Sequence, residues 1–339
     1  MRWDEIAGQD RAVKLLRGAL LKGQVHHAYL LAGPAGVGKE LLARTFAQAA
    51  NCEAEQAAVR PCGKCANCTG FARGNFPDSI VLMPQSELLA RGLVSRADLE
   101  GAPSKEIRVD EVRALAKRLS LSALRGRRKI AILTPADALN ERAQNTLLKT
   151  LEEPPPSTTF LLLSANPDAL LPTIRSRCAR VQLGPVPEDA LLARLLREGV
   201  PEPEARERAA RAQGSFSRAL AAQGEWHDLL AQVEAALSAP DERDALDLAD
   251  AHGEREAALE VAEAVQAWTR DVLVTQAGGT AELRDLAEIA RELGGRVPPR
   301  ALLGQAELCA RVVEALEQNG NGRLQLERLL LGARELRRG

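Results

Sequence analysis

One short segment constrains the fold of this chain more than any other. Residues 33–39 read GPAGVGK, after an apolar run and before a helical pattern, so they are expected to join a buried strand to a helix. In such a turn the backbone N–H groups and the positive end of the helix dipole converge on one point, which favours phosphate oxygens. A glycine-rich turn without a ligand is the alternative interpretation. The residues predicted to hold nucleotide are Gly33, Gly36, Val37, Gly38, Lys39 and the adjoining Glu40.

The first half of the chain alternates apolar runs with helical patterns, which is typical of a sheet wrapped by helices. The predicted strands are 28–32, 79–83, 129–133, 159–164 and 179–183, with helices such as 109–119 and 141–151 between them. Residues 85–105 mix Gly, Pro, Ser and charge, and are predicted to be an irregular insertion. The fold class is therefore α/β up to about residue 184.

Every later segment is helical in period. The sequence Gly184-Pro185-Val186-Pro187 marks a first domain border, and a second composition break falls near Pro240. We therefore predict an α/β domain at 1–184, a small helical lid at 185–238 and a helical C-terminal domain at 239–339. Predicted helices of the last domain are 254–276, 282–293, 300–317 and 322–337. The apolar face at 324–336 suits either a partner-facing helix or the domain's own core.

Charge and composition remove several classes of protein. The 339 residues carry a net charge of −1, which argues against a domain that grips nucleic acid along its whole surface. One Tyr, three Trp and five Phe are too few for a dedicated single-strand binder. The basic stretch at 125–129 is interpreted as a solvated loop before a strand rather than a DNA contact. No apolar run has membrane-spanning length, so we expect a soluble, cytoplasmic protein.

The metal ligands that ATP hydrolysis needs are altered at two positions. Ser or Thr should follow the loop lysine to bind Mg²⁺, but Glu40 stands there. The strand at 129–133 should end in acids, but Thr134 and Pro135 follow it. Asp137, farther along, is interpreted as a turn or capping residue. We infer that ATP or ADP binding is possible, whereas the chain alone should not hydrolyse ATP.

Four cysteines form the most specific local pattern, C-x9-C-x2-C-x2-C, at Cys52, Cys62, Cys65 and Cys68. Four thiolates at such spacing predict one tetrahedral Zn²⁺ with no open position, hence a structural role. Free buried cysteines and an iron–sulfur cluster are the alternatives. Cys309 is interpreted as a buried helix residue.

Several stretches together resemble the bacterial DNA polymerase III clamp-loader subunits. The matching segments are HAYLLAGP at 27–34, the four-cysteine insert, AQNTLLKTLEEPP at 143–155 and IRSRC at 174–178. The resemblance implies an AAA+ fold with zinc insert, lid and collar domains in a five-subunit ring. It also implies that Arg177 is an arginine finger acting on ATP held by a neighbouring subunit, whose fixed charge suits phosphoryl transfer.

The same resemblance assigns further site residues. Ser164-Ala165-Asn166 resembles a polar sensor at a strand end, and Gly214 to Leu220 resembles a lid sensor with Arg218 as its arginine. The segment at 3–9 resembles the box that packs beside adenine. In isolation, Arg175 and Arg177 would be interpreted as a solvated charge pair at a helix end.

Departures from the ATPase pattern decide which type of subunit is expected. Glu40 and Thr134-Pro135 favour the delta-prime type, a stator that joins gamma or tau ATPase subunits and delta to load the sliding clamp on primed DNA. An active gamma or tau ATPase is the alternative, since the rest of the loop is intact. A nucleotide-gated adaptor outside replication is a second alternative.

Overall fold

The computed structural model describes residues 1–99, 101–220, 223–279, 295–317 and 320–338. The chain forms two units, one of Met1–Gly199 with Ala212–Ala219 and one of Val200–Arg211 with Leu220–Gly339. The predicted borders after residues 184 and 238 divide the chain differently, and that three-part division stays a prediction.

The first unit is built on a five-stranded parallel sheet. Its strands are β1 Ala28–Ala32, β2 Ser79–Leu82, β3 Lys129–Leu133, β4 Thr158–Ser164 and β5 Ala179–Gln182. They lie in the order β2-β3-β4-β1-β5. Every residue of β1, β3 and β4 is buried, because helices cover both faces of such a sheet. All five predicted strands are confirmed, three of them with one end shifted by one residue.

The two helices predicted in the first unit, 109–119 and 141–151, are confirmed, and each ends one residue later than predicted. The helices of this unit are α1 Asp10–Leu21, α2 Lys39–Ala50, α3 Ala66–Ala72, α4 Gln85–Ala90, α5 Val109–Ser120, α6 Glu141–Glu152, α7 Pro172–Arg177, α8 Glu188–Arg197 and α10 Phe216–Leu220, the last of which ends one residue past the unit's border. The prediction that 85–105 is wholly irregular was wrong. Its first part is α4, closed by hydrogen bonds from Ser86 N to Ser104 O and from Ser104 N to the Gln85 side chain.

The loop before β3 is held by one buried carboxylate. Asp78 accepts the backbone N–H groups of Leu124, Arg125 and Gly126 at 2.8, 2.8 and 2.6 Å. Burial alone would raise the pKa of Asp78, but these three N–H groups outweigh it, so the pKa lies below its ordinary value. Nearby, Lys129 is buried and donates to two carbonyls of α5, so this end of the basic stretch is not a solvated charge.

Asp78→Asn should destabilise the fold at neutral pH by about 2 kcal/mol, because an amide cannot accept all three hydrogen bonds. A carboxyl whose pKa is lowered on folding adds stability above its unfolded pKa and loses it as the pH falls through the folded pKa. The difference in thermal midpoint between wild type and variant should therefore be full at pH 7 and shrink below about pH 4. A difference that stays constant down to pH 2 would contradict this role for the carboxylate.

The second unit is helical in the residues that the structure describes. Its helices are α9 Glu202–Arg211, α11 Gln223–Ser238, α12 Arg243–Ala251, α13 Arg255–Gln276, α14 Pro299–Glu317 and α15 Gly322–Arg338. Three of the four predicted C-terminal helices are confirmed, and the one at 282–293 lies outside the described residues. No helix in the described part of the chain is long and apolar enough to cross a membrane.

The last helix contributes to its own unit's core. Leu326, Leu329 and Leu330 of α15 are fully buried among the apolar side chains of this unit, whereas Leu324 is exposed. Arg334 on the same helix is also buried and donates to the Ala236 carbonyl at 2.6 Å. The interpretation of this face as intradomain core is therefore confirmed. Cys309 on α14 is buried there too, as predicted.

Candidate nucleotide and metal sites

The glycine-rich turn lies between the carboxyl ends of three strands. It follows β1, whose last residue pairs with Ser164 of β4 and Gln182 of β5. Gly33 N donates to Ser164 O at 3.2 Å, and a Cβ at Gly33 would lie 2.5 Å from Leu183 O. Because the strands are parallel, this edge is where ligands bind in open α/β sheets.

Backbone conformation explains two of the loop glycines. Gly36 and Gly38 have φ values of +75° and +97°, a region that side chains disfavour. Gly38 caps α2, which begins at Lys39, and Val37 between them is buried. The predicted strand, turn and helix are therefore confirmed, and the N–H groups at the start of α2 are available for an anion in the way that the turn predicts.

Lys39 is turned back on its own loop. Its Nζ donates to the carbonyls of Gly33 and Pro34, both at 2.6 Å. Burial lowers the pKa of Lys39, and the charge of Asp137 opposes that shift. Asp137, predicted to be a turn residue, lies in a single 3-10 turn, Ala136–Ala138. Its carboxylate therefore influences the loop lysine electrostatically, although it stands beyond the strand end where the metal-binding acid was expected.

Glu40 forms an ion-pair network instead of an open metal ligand. Arg91 Nη1 lies 3.0 and 2.9 Å from its two carboxylate oxygens, and Arg44 Nε donates to Oε1 at 2.8 Å. Glu87 completes the network with Arg91 at 3.2 Å. Burial alone would raise the pKa of Glu40, but hydrogen bonds and charge from the two arginines lower it below its ordinary value. The carboxylate is ionised and its charge is neutralised by guanidinium groups.

Neither of the two residues that directly follow β3 carries a carboxylate. Thr134 is nearly buried and its N–H donates to Leu82 O at 2.9 Å, while Pro135 has no N–H. Ser164, at the end of β4, is fully buried, and Asn166 beyond it is exposed at the start of a 3-10 turn. Thr134 and Pro135 therefore stand where metal-assisted hydrolysis would use two acidic residues.

The segment predicted as a lid sensor reaches the glycine-rich turn. Phe216 N donates to Gly36 O at 2.9 Å, and a Cβ at Gly36 would lie 2.0 Å from Ser215 Oγ. Arg218 itself is exposed and its Nη1 donates to Gln213 at 3.1 Å. The structure brings the segment to the loop through Ser215 and Phe216, which belong to the predicted segment, and not through Arg218, its predicted functional residue.

The N-terminal segment also reaches the turn, through Gln9. Its side chain donates to Gly184 O at 2.8 Å and to Val37 O at 3.4 Å, and accepts from Gly184 N at 3.2 Å. Trp3, by contrast, donates its indole N–H to Arg60 O, near the cysteines. Gln9 therefore ties the loop to the end of β5.

The four predicted cysteine ligands converge. The sulfur atoms of Cys52, Cys62, Cys65 and Cys68 all lie within 4.8 Å of one another. Four sulfurs around one Zn²⁺ at about 2.3 Å stand about 3.8 Å apart, so a small contraction suits a single ion. Cys62 N donates to Cys52 Sγ at 3.3 Å, and the backbone N–H of Lys64 is the main cause that lowers the pKa of Cys62 to about 6. The donor set fits a metal that binds thiolates.

Arg177, the predicted finger, lies at the end of α7 on the surface of the first unit. Its Nη2 lies 2.7 Å from Glu152 Oε1 at the end of α6, and its Nη1 donates to Thr173 O at 3.0 Å. Its side chain is 36% exposed. The neighbouring Arg175 pairs with Asp168 instead. The two arginines are therefore held by different acids.

A family model described as DNA polymerase III, delta subunit matches residues 8–187, which contain the sheet, the glycine-rich turn, the cysteine cluster and Arg177. The match covers more than half of the 339 residues. The chain belongs to the DNA polymerase III clamp-loader family. The predicted resemblance is confirmed at this level.

Curated relatives in the clamp-loader family include two kinds of subunit. A delta' subunit from Pseudomonas aeruginosa is 41% identical over 181 residues, 53% of this chain and 50% of that protein. The tau subunit of Escherichia coli is 33% identical over 271 residues, 75% of this chain and 39% of that protein. The chain thus spans about half the length, or less, of the curated relatives it matches. Both kinds of subunit are similar to it.

A solved structure gives only a distant likeness. A DNA polymerase III gamma subunit-related protein from Thermotoga maritima is 17% identical, with a TM-score of 0.42, and the match covers 97% of this chain and 99% of that one. A likeness at that level adds nothing to the family assignment.

Within this clamp-loader chain, the sequence predicted the loop and the cysteines but missed their supports. Arg91, Ser215 and Gln9 each contact the loop or its flank from another part of the sequence. Gln9 and Ser215 carried a signal, since they belong to the predicted N-terminal box and to the predicted lid-sensor segment, whereas Arg91 carried none. The roles of Arg177 and Arg218 toward nucleotide stay predictions.

Proposed function

We propose that this chain is a delta-prime-type subunit of a DNA polymerase III clamp loader that keeps a nucleotide-binding fold without hydrolysing ATP itself. The ion pairs of Glu40 carry the proposal. A carboxylate saturated by Arg44 and Arg91 replaces the hydroxyl that would bind Mg²⁺, and Thr134-Pro135 replaces the acids at the strand end. Similarity to a delta' subunit supports the same subunit type.

As a stator, the chain would supply Arg177 to ATP held by an adjacent gamma or tau subunit. Its other partners would be delta, the sliding clamp and primed DNA, met through the cytoplasmic five-subunit complex. The surface position of Arg177, outside the chain's own glycine-rich turn, supports action on a neighbour. The proposed architecture is an AAA+ domain with a structural zinc insert, a lid and a collar domain.

An active gamma or tau ATPase is the second candidate function. The tau relative matches 75% of this chain, and the turn at 33–39 is otherwise complete. The two functions differ in what the isolated chain does with ATP and Mg²⁺. Steady phosphate release that disappears in Lys39→Ala would establish the ATPase, whereas release no greater than that of Lys39→Ala supports the delta-prime type.

Nucleotide binding to the isolated chain should not depend on Mg²⁺. Because Arg44 and Arg91 occupy Glu40, the loop offers no protein ligand to the ion at that position. We expect the same Kd for a fluorescent ADP with Mg²⁺ and with EDTA, and binding about tenfold weaker or more in Lys39→Ala. Glu87→Gln serves as the control, since it removes an acid from the network but leaves Glu40 in place.

Two other outcomes would be informative in this titration. Binding that weakens greatly in EDTA would show that a metal ion is held despite Glu40, and would favour the ATPase. Absence of binding under both conditions would favour a glycine-rich turn without a ligand.

A further inference from the structure

The ion pair between Arg177 and Glu152 joins the ends of two helices. Glu152 is the last residue of α6 and Arg177 is the last of α7. Arg177 Nη2 lies 2.7 Å from Glu152 Oε1, and Arg177 Nη1 donates to the carbonyl oxygen of Thr173 at 3.0 Å. Two terminal nitrogens are thereby fixed from two sides, which orients the guanidinium plane at the surface.

The ion pair between Glu152 and Arg177 should contribute little to the stability of the fold. The Glu152 and Arg177 side chains are 50% and 36% exposed, and ion pairs with such exposure add little stability. What the contacts do restrict is the long, flexible arginine side chain. An arginine that is already oriented loses less conformational entropy when it contacts the charge that develops in a reaction.

Glu152 pairs with only one of the two arginines at the end of α7. Arg175, two residues earlier on α7, pairs with Asp168, so Glu152 holds one of the two arginines and not the other. Glu153, the adjacent acid, is exposed, and the structure gives its side chain no ion pair among the described residues. Its backbone N–H alone bonds back to Lys149 O at 3.2 Å. The two neighbouring glutamates therefore differ in their relation to Arg177.

We propose that Glu152 is a positioning residue for Arg177, whose guanidinium it holds in one orientation at the surface, ready to meet a neighbouring subunit's ATP. This inference rests on the proposed function, in which Arg177 acts in trans. Glu152 makes no contact with nucleotide in this role. It acts only through the orientation of the arginine.

The test measures steady-state ATP hydrolysis by a clamp loader reconstituted from this full chain, gamma or tau ATPase subunits and delta, with sliding clamp and primed DNA. Glu152→Gln should lower kcat about fivefold, the order that one exposed ion pair can supply, and leave KM for ATP unchanged. Glu152→Asp should recover part of the loss. Glu153→Gln, which removes the same charge one residue away, should match wild type.

A double variant separates positioning from a general structural effect. If Glu152 acts through Arg177, Glu152→Gln combined with Arg177→Ala should be no slower than Arg177→Ala alone. Equal kcat for Glu152→Gln and wild type, an equal loss in Glu153→Gln, or additive losses in the double variant would each overturn the inference while leaving a severe Arg177→Ala defect intact. An Arg177→Ala complex with normal turnover would instead overturn the part of the proposed function in which Arg177 acts on a neighbour's ATP.

Discussion

Replacing Arg177 with alanine in this chain alone should lower ATP turnover by the reconstituted clamp loader about 10³-fold. An arginine finger stabilises charge that develops on the transferring phosphoryl group, and its loss is felt in kcat. The variant should still assemble, because Arg177 is partly exposed and its ion pair with Glu152 adds little to folding. Hydrolysis with clamp and primed DNA, with assembly followed by gel filtration, measures both.

Arg175→Ala is the matched control for this experiment. It removes the same charge from the same helix, but its partner is Asp168 rather than Glu152. Turnover close to wild type in Arg175→Ala and a severe loss in Arg177→Ala would assign the finger to one residue. Unchanged turnover in Arg177→Ala would reduce that arginine to a surface charge and leave the protein a scaffold.

Replacing one of the four clustered cysteines should abolish the zinc binding proposed for the cluster and unfold the region around it. Cys68 is fully buried, and its carbonyl accepts the Gln48 side chain at 3.0 Å, so this ligand links the cluster to α2. Structural zinc contributes directly to folding, and we expect Cys68→Ser to lose about 3 kcal/mol or more of stability. Metal analysis of the purified protein and thermal unfolding check the two parts of the prediction.

A cysteine outside the cluster provides the comparison for the metal analysis. Cys178 is also buried, in surroundings that raise its pKa to about 12, yet it lies far from the four ligands in sequence. Cys178→Ser should keep one zinc per chain even if it is less stable. Wild-type protein without zinc, or with a coloured iron species, would contradict the assignment.

Local patterns predicted the scaffold of the candidate nucleotide site well. The strand Ala28–Ala32, the turn at 33–39 and the start of α2 at Lys39 depend on neighbours in sequence, so apolar period and glycine positions suffice to identify them. The same holds for the cysteines, whose spacing alone limits how they can meet. Side chains that reach the site from other elements were not predicted, because their contacts join residues that are distant in sequence.

Arg91 illustrates what the sequence could not reveal. Its segment looked irregular because Gly, Pro and Ser surround it, yet α4 forms and brings the guanidinium to a carboxylate 51 residues earlier. Ser215 likewise meets Gly36 across a long stretch of chain. Such contacts depend on tertiary packing, which residue spacing does not encode. The contact with Arg91 shows that Glu40, which the sequence identified only as the loss of a Mg²⁺ ligand, is an ion-paired residue.

The Glu40 network has a consequence for attempts to give this chain the metal site of an ATPase. Glu40→Ser alone would leave Arg44 and Arg91 without their shared carboxylate, and Thr134-Pro135 would still provide no acid. We therefore expect no single substitution to create ATP hydrolysis in the proposed delta-prime-type subunit. Such a gain of function would need coordinated changes at Glu40, at its two arginines and at the end of β3, which makes the proposed non-hydrolysing state robust to point mutation.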